Sequence, residues 1–258
     1  MHKNFDLSNG SQINHDKFNI VDYNINSILA PERLNQLTDS CRTLNIDVLI
    51  ITESKVDQTI PNNLLTIAGY HEPIRHDRTV NGRHGGGVLI YIAENLVYQH
   101  KKDLQSEYYE HVWVDVRLKN TVFAINAFYR PPNESASDHQ HFMETAEIIL
   151  NNLNNYVSAK YKEIASDLNF GNCYCKYPIL PPKPLDSVAP DLFSSFGFQQ
   201  LIDIPTRITA ISISLIDLIF VNKPDDIICH GTIPKIADHD GTIVSFNIKV
   251  RNKNKKRK

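Results

Sequence analysis

The run Asp47-Val48-Leu49-Ile50-Ile51-Thr52 restricts the architecture more than any other feature of this chain. It is nearly continuous in apolar residues, as expected of a strand covered on both faces. Similar short runs recur. Phe18 to Asn24, Gly86 to Ile92, Glu110 to Leu118 and Thr121 to Tyr129 read as strands, the last two joined by a tight hairpin at Lys119-Asn120. Lys162 to Ala165, Leu215 to Asn222 and Thr242 to Val250 read as further strands. Helical spacing is confined to Pro31 to Leu44, Ser137 to Tyr156 and a short segment near Asp191 to Phe196. Many strands and few helices predict an α/β fold in which two packed sheets are flanked by helices.

Neither a repeat nor an internal linker divides the chain, and its 258 residues are within reach of one sheet-rich domain. That domain is expected over residues 18–250, after an N-terminal extension (1–17) and before a basic, disordered tail (251–258). The tail holds six of the 27 Lys and Arg. Without it 21 basic residues face 29 acidic ones, so a body of −8 carries a tail of +6. An acidic body argues against charge-driven coating of nucleic acid. The tail suits nucleic-acid attraction, a nuclear address or simple solvation. No apolar run reaches bilayer length, and Met1-His2-Lys3-Asn4-Phe5-Asp6 lacks the apolar stretch of a signal peptide. The expected location is therefore nuclear or cytoplasmic, with no membrane partner. Cys41, Cys173, Cys175 and Cys229 form no zinc pattern and read as free thiols.

Polar residues gather where these strands end. Asn24 and Asn26 close the first strand, and Glu53 follows the run that ends at Thr52. Tyr129 precedes the rigid turn Arg130-Pro131-Pro132. Asp217 opens one strand, and Asp238-His239 stands just before the last. In Ser166-Asp167-Leu168-Asn169-Phe170, an extended backbone would turn Asp167 and Asn169 the same way. Each alone is what an exposed strand end ordinarily carries. Together they supply carboxylates for a hard cation, amide donors, a phenol and an Asp-His combination, an inventory that suits hydrolysis of a phosphate ester. Gly85-Gly86-Gly87 leads into a strand without a following Gly-Lys-Ser/Thr, and reads as a bend rather than a phosphate cradle. Trp113 reads as packing, and His139 and His141 as surface residues.

Seven motifs in order carry a resemblance: Asn24, Ile51-Thr52-Glu53, Tyr129-Arg130-Pro131-Pro132, Ser166-Asp167-Leu168-Asn169, Pro205-Thr206-Arg207, Ile216-Asp217-Leu218-Ile219-Phe220 and Ala237-Asp238-His239. From about residue 18 to 248 the chain resembles the endonuclease/exonuclease/phosphatase superfamily. More narrowly it resembles the apurinic-like endonuclease domain of non-LTR (LINE-type) retrotransposons, as do Arg75-His76-Asp77-Arg78 with Gly85 to Ile92, and Glu110-His111-Val112-Trp113-Val114. The resemblance implies a four-layer α/β sandwich of two mostly antiparallel sheets, and a Mg²⁺-dependent (or Mn²⁺-dependent) endonuclease. Such an enzyme would nick DNA and leave a 3′-hydroxyl that primes reverse transcription. Position by position it implies that Glu53, Asn24, Asn26 and Asp238 serve the metal. Tyr129 would contact the scissile phosphate, Asp167 the attacking water, and Asn169 the phosphate or the water. His239 would bind the phosphate or act as base, oriented by Asp217, and Thr206, Arg207 and Arg130 would face DNA. Two positions depart from the family pattern: Ser166 stands for the usual Gly, and Ala237 for the usual Ser. They keep open an impaired, DNA-binding remnant, and the fold itself leaves a phosphatase open as well.

Overall fold

All five residues of Val48–Thr52 are buried, and the two faces of that strand meet different hydrophobic layers. Val48 and Ile50 join one cluster, whereas Leu49 and Ile51 join another. The computed structural model that shows this describes residues 3–5, 17–78, 85–105, 109–119, 121–132, 136–156, 159–169 and 188–250. In chain order the first half forms β1 (Lys3–Phe5), β2 (Lys17–Asn24), α1 (Arg33–Thr43), β3 (Val48–Thr52), β4 (Ile74–His76), β5 (Val88–Ile92) and β6 (Val97–His100). A hairpin follows, made of β7 (Glu110–Leu118) and β8 (Thr121–Tyr129), and then α2 (Ala136–Asn155), β9 (Tyr161–Asp167) and α3 (Val188–Ser195). The remaining strands are β10 (Gln199–Gln200), β11 (Arg207–Ile208), β12 (Ile213–Ser214), β13 (Asp217–Val221), β14 (Ile227–Ile233) and β15 (Gly241–Lys249).

Seven strands form one sheet in the order β1-β14-β15-β2-β3-β5-β4, and six form a second in the order β10-β13-β9-β8-β7-β6. The pairings are antiparallel except β1 with β14, β2 with β3 and β8 with β9. A parallel pair needs a crossover, and α1 and α2 supply it for β2–β3 and β8–β9. Between the sheets, the Phe18 ring of β2 lies 4.7 Å from that of Phe123 in β8, which in turn stacks on Tyr161 of β9 at 4.4 Å. Outside the seven-stranded sheet, Leu37 and Cys41 of α1 pack on Leu49, Ile51 and Tyr91. Outside the six-stranded sheet, Phe142 of α2 meets Phe128 edge-on at 5.5 Å, and Phe193 of α3 stacks on Phe220 at 4.1 Å. The expected four-layer α/β sandwich is the fold.

Part of the N-terminal extension belongs to the sheet, since Lys3–Phe5 pairs with Cys229, His230 and Gly231 of β14. The expected strand Lys162 to Ala165 is longer, and Asp167 lies on it. Gly85, Gly86 and Gly87 have positive φ and enter β5, the bend the sequence suggested. Trp113 is 1% exposed and is core, while His141 is exposed. The His139 and Ser166 side chains, the Pro-rich segment up to residue 187 and the tail 251–258 lie outside the described residues. Among the described residues no helix is long and apolar enough to cross a membrane.

His111 of β7 is buried completely against Phe128 and Asn126. Burial, helped by nearby His76, pushes its pKa down to about 3. The unfolded chain binds a proton near pH 6.5 that the folded chain refuses, so stability falls as pH drops from about 6.5 towards 3. The expected loss is about 1.4 kcal/mol per pH unit inside that window. Denaturant midpoints at pH 7, 6 and 5 measure it. His111→Gln should flatten the slope, and an unchanged slope would exclude His111 as its source.

Candidate active site

At one end of the seam between the sheets, the strands deliver polar side chains to one place. β2 and β3 run parallel, so Asn24 and Thr52 are neighbours at their C-terminal ends. The chains then stay together, with Ile25 N donating to Thr52 O at 3.1 Å and Ser27 N to Glu53 O at 2.8 Å. This places Asn26 beside Glu53. Across the seam, β8 and β9 end together at Tyr129 and Asp167. β13 enters antiparallel, with Asp217 opposite Asp167. His239 lies just before β15, in a bridge with Arg207.

Asn24, 1% exposed, is the hub. Its Nδ2 donates to Asp167 Oδ2 at 2.8 Å and to Glu53 Oε1 at 3.1 Å, while its Oδ1 accepts the Asn26 amide at 3.1 Å. Asn24 therefore bridges two carboxylates. The Tyr129 hydroxyl donates to Glu53 Oε1 at 3.4 Å, and burial, then Glu53 and Asp167, raise its pKa, so it remains a donor. Asp217 Oδ2 accepts from His239 Nδ1 at 2.9 Å. Burial would lower the His239 pKa, but the hydrogen bond and charge of Asp217, with Asp167 and Asp238, carry it up to about 9. Asp167 is buried completely, and burial followed by the Asp217 charge raises its pKa well above the carboxylate range. Burial works upward on Asp238 as well, yet His239 and Arg207 hold its pKa below the ordinary value. Arg207 Nε and Nη2 each donate to Asp238 Oδ2 at 3.2 Å.

Three residues sit differently from expectation. Thr206 is 1% exposed, and its Oγ1 accepts the Ile216 and Asp217 amides at 3.2 Å each. It anchors the start of β13 and does not line an outer rim. Arg130 is 6% exposed, with Nη1 donating to Leu168 O at 3.1 Å and the guanidinium over the Phe142 ring, so it ties β8 to β9. Asn169 is not extended. Its backbone is left-handed (φ 50°) and its Nδ2 donates to Arg130 O at 2.8 Å.

The structure adds residues that the sequence reading missed. Lys55 Nζ hydrogen-bonds Asn26 Oδ1 and lies 3.4 Å from Glu53 Oε2, a cation held among the oxygens expected to bind a metal. Its sequence signal is weak, because Glu53 and Lys55 both have positive φ and strand alternation does not reach them. Asp22 is 1% exposed, and neither oxygen has a described partner. Burial, then Asp217 and Asp167, push its pKa well up. Its signal was its parity with Asn24 in an otherwise apolar strand.

The donor set fits a hard divalent cation. Glu53 and Asn26 offer oxygens around Lys55, Asp238 Oδ1 lies 3.4 Å from Asn26 Nδ2, and ligand atoms of Asp167, Asp217 and His239 lie within 4.8 Å of one another. Asp167 Oδ1 is buried without a described partner, which an ion or a water would satisfy.

The glycine bend holds the Glu53 loop in place. Ser54 N donates to Gly87 O at 3.1 Å and Lys55 N to Gly86 O at 2.9 Å. At Gly87 φ is +85°, and a Cβ would lie 2.5 Å from Ser54 Oγ. Gly87→Ala is expected to destabilise the fold by about 1–3 kcal/mol and to displace Glu53. Chemical denaturation with metal titration tests this, and wild-type values in both would refute it.

A sequence model of the Endonuclease/Exonuclease/phosphatase family matches residues 23–160. No curated protein sequence matches the chain. Among solved structures, the fold is similar to the endonuclease domain of TRAS1, a telomere-specific non-LTR retrotransposon. The TM-score is 0.69 at 14% identity, over 90% of this chain and 100% of that one. It is also similar to the AP endonuclease LMAP from Leishmania major, with TM-score 0.72 and 13% identity over 96% of this chain and 90% of that one. The 3′ phosphatase NExo from Neisseria, bound to a product DNA hairpin, gives TM-score 0.66 and 14% identity over 89% and 99%.

Proposed function

This chain belongs to the Endonuclease/Exonuclease/phosphatase family, and from that premise we propose that it is a divalent-metal-dependent DNA endonuclease. It would nick one strand and leave a 3′-hydroxyl suited to priming reverse transcription. The observation that carries the reading is the convergence of Asn24, Glu53, Tyr129, Asp167, Asp217 and His239 at one end of the seam, supplied by strands of both sheets. A Mg²⁺ or Mn²⁺ ion held by Glu53, with Asn26 and Asp238 beside it, would neutralise charge on the phosphate.

The chain's own groups divide the remaining work. Asp217 fixes His239 Nδ1 as a donor, which leaves Nε2 for a phosphate oxygen. Asp167, steadied by Asn24, orients the attacking water and, in its ionised form, takes its proton. Tyr129 donates its phenolic proton towards the phosphate. Arg207, half-exposed beside Asp238, is the cation available to the DNA backbone. The Asn169 amide nitrogen is engaged by Arg130 O, so the part assigned to Asn169 is to hold the β8 and β9 ends together next to Asp167.

Supercoiled plasmid incubated with Mg²⁺ or with EDTA tests the reading. Open-circular product only with Mg²⁺, whose nicks a polymerase extends directly, is expected. Folded protein that never nicks, but releases phosphate from a 3′-phosphorylated oligonucleotide, would replace the endonuclease with a phosphatase.

A further inference from the structure

The seam between the sheets has a second open end. Nine residues of β15 separate it from the His239 end, a span of about 30 Å at strand rise. There a cleft of about 320 Å³ runs between the sheets, lined by Leu96, Val97, Arg117, Lys119, Lys249 and Val250. Lys249 and Val250 come from the seven-stranded side, and Arg117 and Lys119 from the β7–β8 hairpin opposite. Arg117, Lys119 and Lys249 are exposed, and Lys17 stands directly beside Lys249 in the ladder. None of the four forms an ion pair with a described residue, although the body as a whole carries more acid than base.

Like charges opposite each other across a ladder are destabilising. Lys17 Nζ hydrogen-bonds Asn247 Oδ1 and Asp115 feels the Arg117 charge, yet the Lys17–Lys249 pair with Arg117 and Lys119 still concentrates positive charge that an anion between the lips would offset. The cations stand on both lips of an open cleft far larger than one phosphate. They match a chain of regularly spaced anions better than a small ion. One exposed large apolar side chain, Val97 at 65%, gives a membrane little to hold.

We propose that this distal cleft is a second nucleic-acid-binding surface, which grips the phosphate backbone through Lys17, Arg117, Lys119 and Lys249. It needs no catalysis and stands whether or not the opposite end cuts DNA. Its consequence is that one chain can hold two nucleic-acid segments at once, one at each mouth of the seam.

The test uses the full chain carrying His239→Ala, in EDTA, with a fluorescent duplex of about 25 base pairs. Combined Lys17→Glu, Arg117→Glu and Lys249→Glu changes should weaken binding about ten-fold or more at 0.1 M salt. They should also make the slope of log affinity against log salt shallower by about two to three. The milder set Lys17→Gln, Arg117→Gln and Lys249→Gln guards against misfolding and should act in the same direction. Reversing Arg42 and Lys102 to Glu, elsewhere on the surface, should do markedly less. Energy transfer between two differently labelled duplexes should appear with the parent chain and vanish with the Gln set. Unchanged affinity and slope in both distal sets, or an equal loss in the control set, would overturn the proposal. Vesicles rich in phosphatidylserine that displace the duplex more strongly than unlabelled DNA would overturn it too, in favour of a lipid surface.

Discussion

Asp217→Asn should lower the turnover of plasmid nicking by about 10²–10⁴-fold while leaving the Mg²⁺ concentration for half-maximal activity within about three-fold. The asymmetry follows from what Asp217 touches. Both its oxygens lie within 3.1 Å of His239 Nδ1, and the pair is almost wholly buried. An Asn there keeps the volume and can still accept a hydrogen bond, but it removes the charge that carries the His239 pKa up to about 9. The imidazole then loses its stabilised cationic form and its fixed tautomer. The Glu53 and Asn26 oxygens beside Lys55 are untouched, so metal affinity is spared. His239→Ala should lose at least as much turnover, and the double variant no more than the worse single one, because the two act as one unit. Steady-state nicking across a Mg²⁺ titration decides the matter. Turnover within three-fold of wild type in Asp217→Asn would remove the pair from the mechanism.

Glu53→Gln should abolish the response to metal itself. With Mg²⁺ at about one hundred times its dissociation constant, a bound ion stabilises the native state by about 2.7 kcal/mol. Wild-type protein should therefore melt at a higher temperature with Mg²⁺ than with EDTA, and Glu53→Gln should melt at the same temperature in both. Nicking should fall about 10³-fold, since the variant loses the charge that holds the ion. A Glu53→Gln protein that is still stabilised by Mg²⁺ would move the metal to the Asp167, Asp217 and His239 group, whose ligand atoms lie within 4.8 Å of one another.

Periodicity and motif order made most of this architecture legible. Strands β2, β3, β7, β8 and β13 are short apolar runs with turn residues at their ends, and they were readable because nothing but burial explains them. Strand β14 was missed. Its Ile-Ile-Cys-His-Gly-Thr-Ile sequence alternates poorly and carries a bulge between Ile227 and Cys229. The partners of polar residues were the least legible feature. Thr206 and Arg130 were expected to face DNA because the family resemblance implied it. Whether a hydroxyl meets a phosphate or two backbone amides is decided by chain segments far away in sequence. The parity that joined Asn169 to Asp167 was lost for a local reason, since one left-handed residue cancels the extended backbone it needs.

Strand order has a consequence for how the molecule comes into being. β15, the last strand described, lies inside its sheet, between β14 and β2, and it directly follows His239. On the ribosome, β2 must therefore wait unpaired on that side for about 220 further residues. At ordinary elongation rates that delay is roughly ten to forty seconds. During that time Asp167 and Asn24 have neither His239 nor a closed sheet to work with. If the chain cuts DNA as proposed, synthesis itself acts as a safety interval, because the site is complete only once β15 pairs with β2.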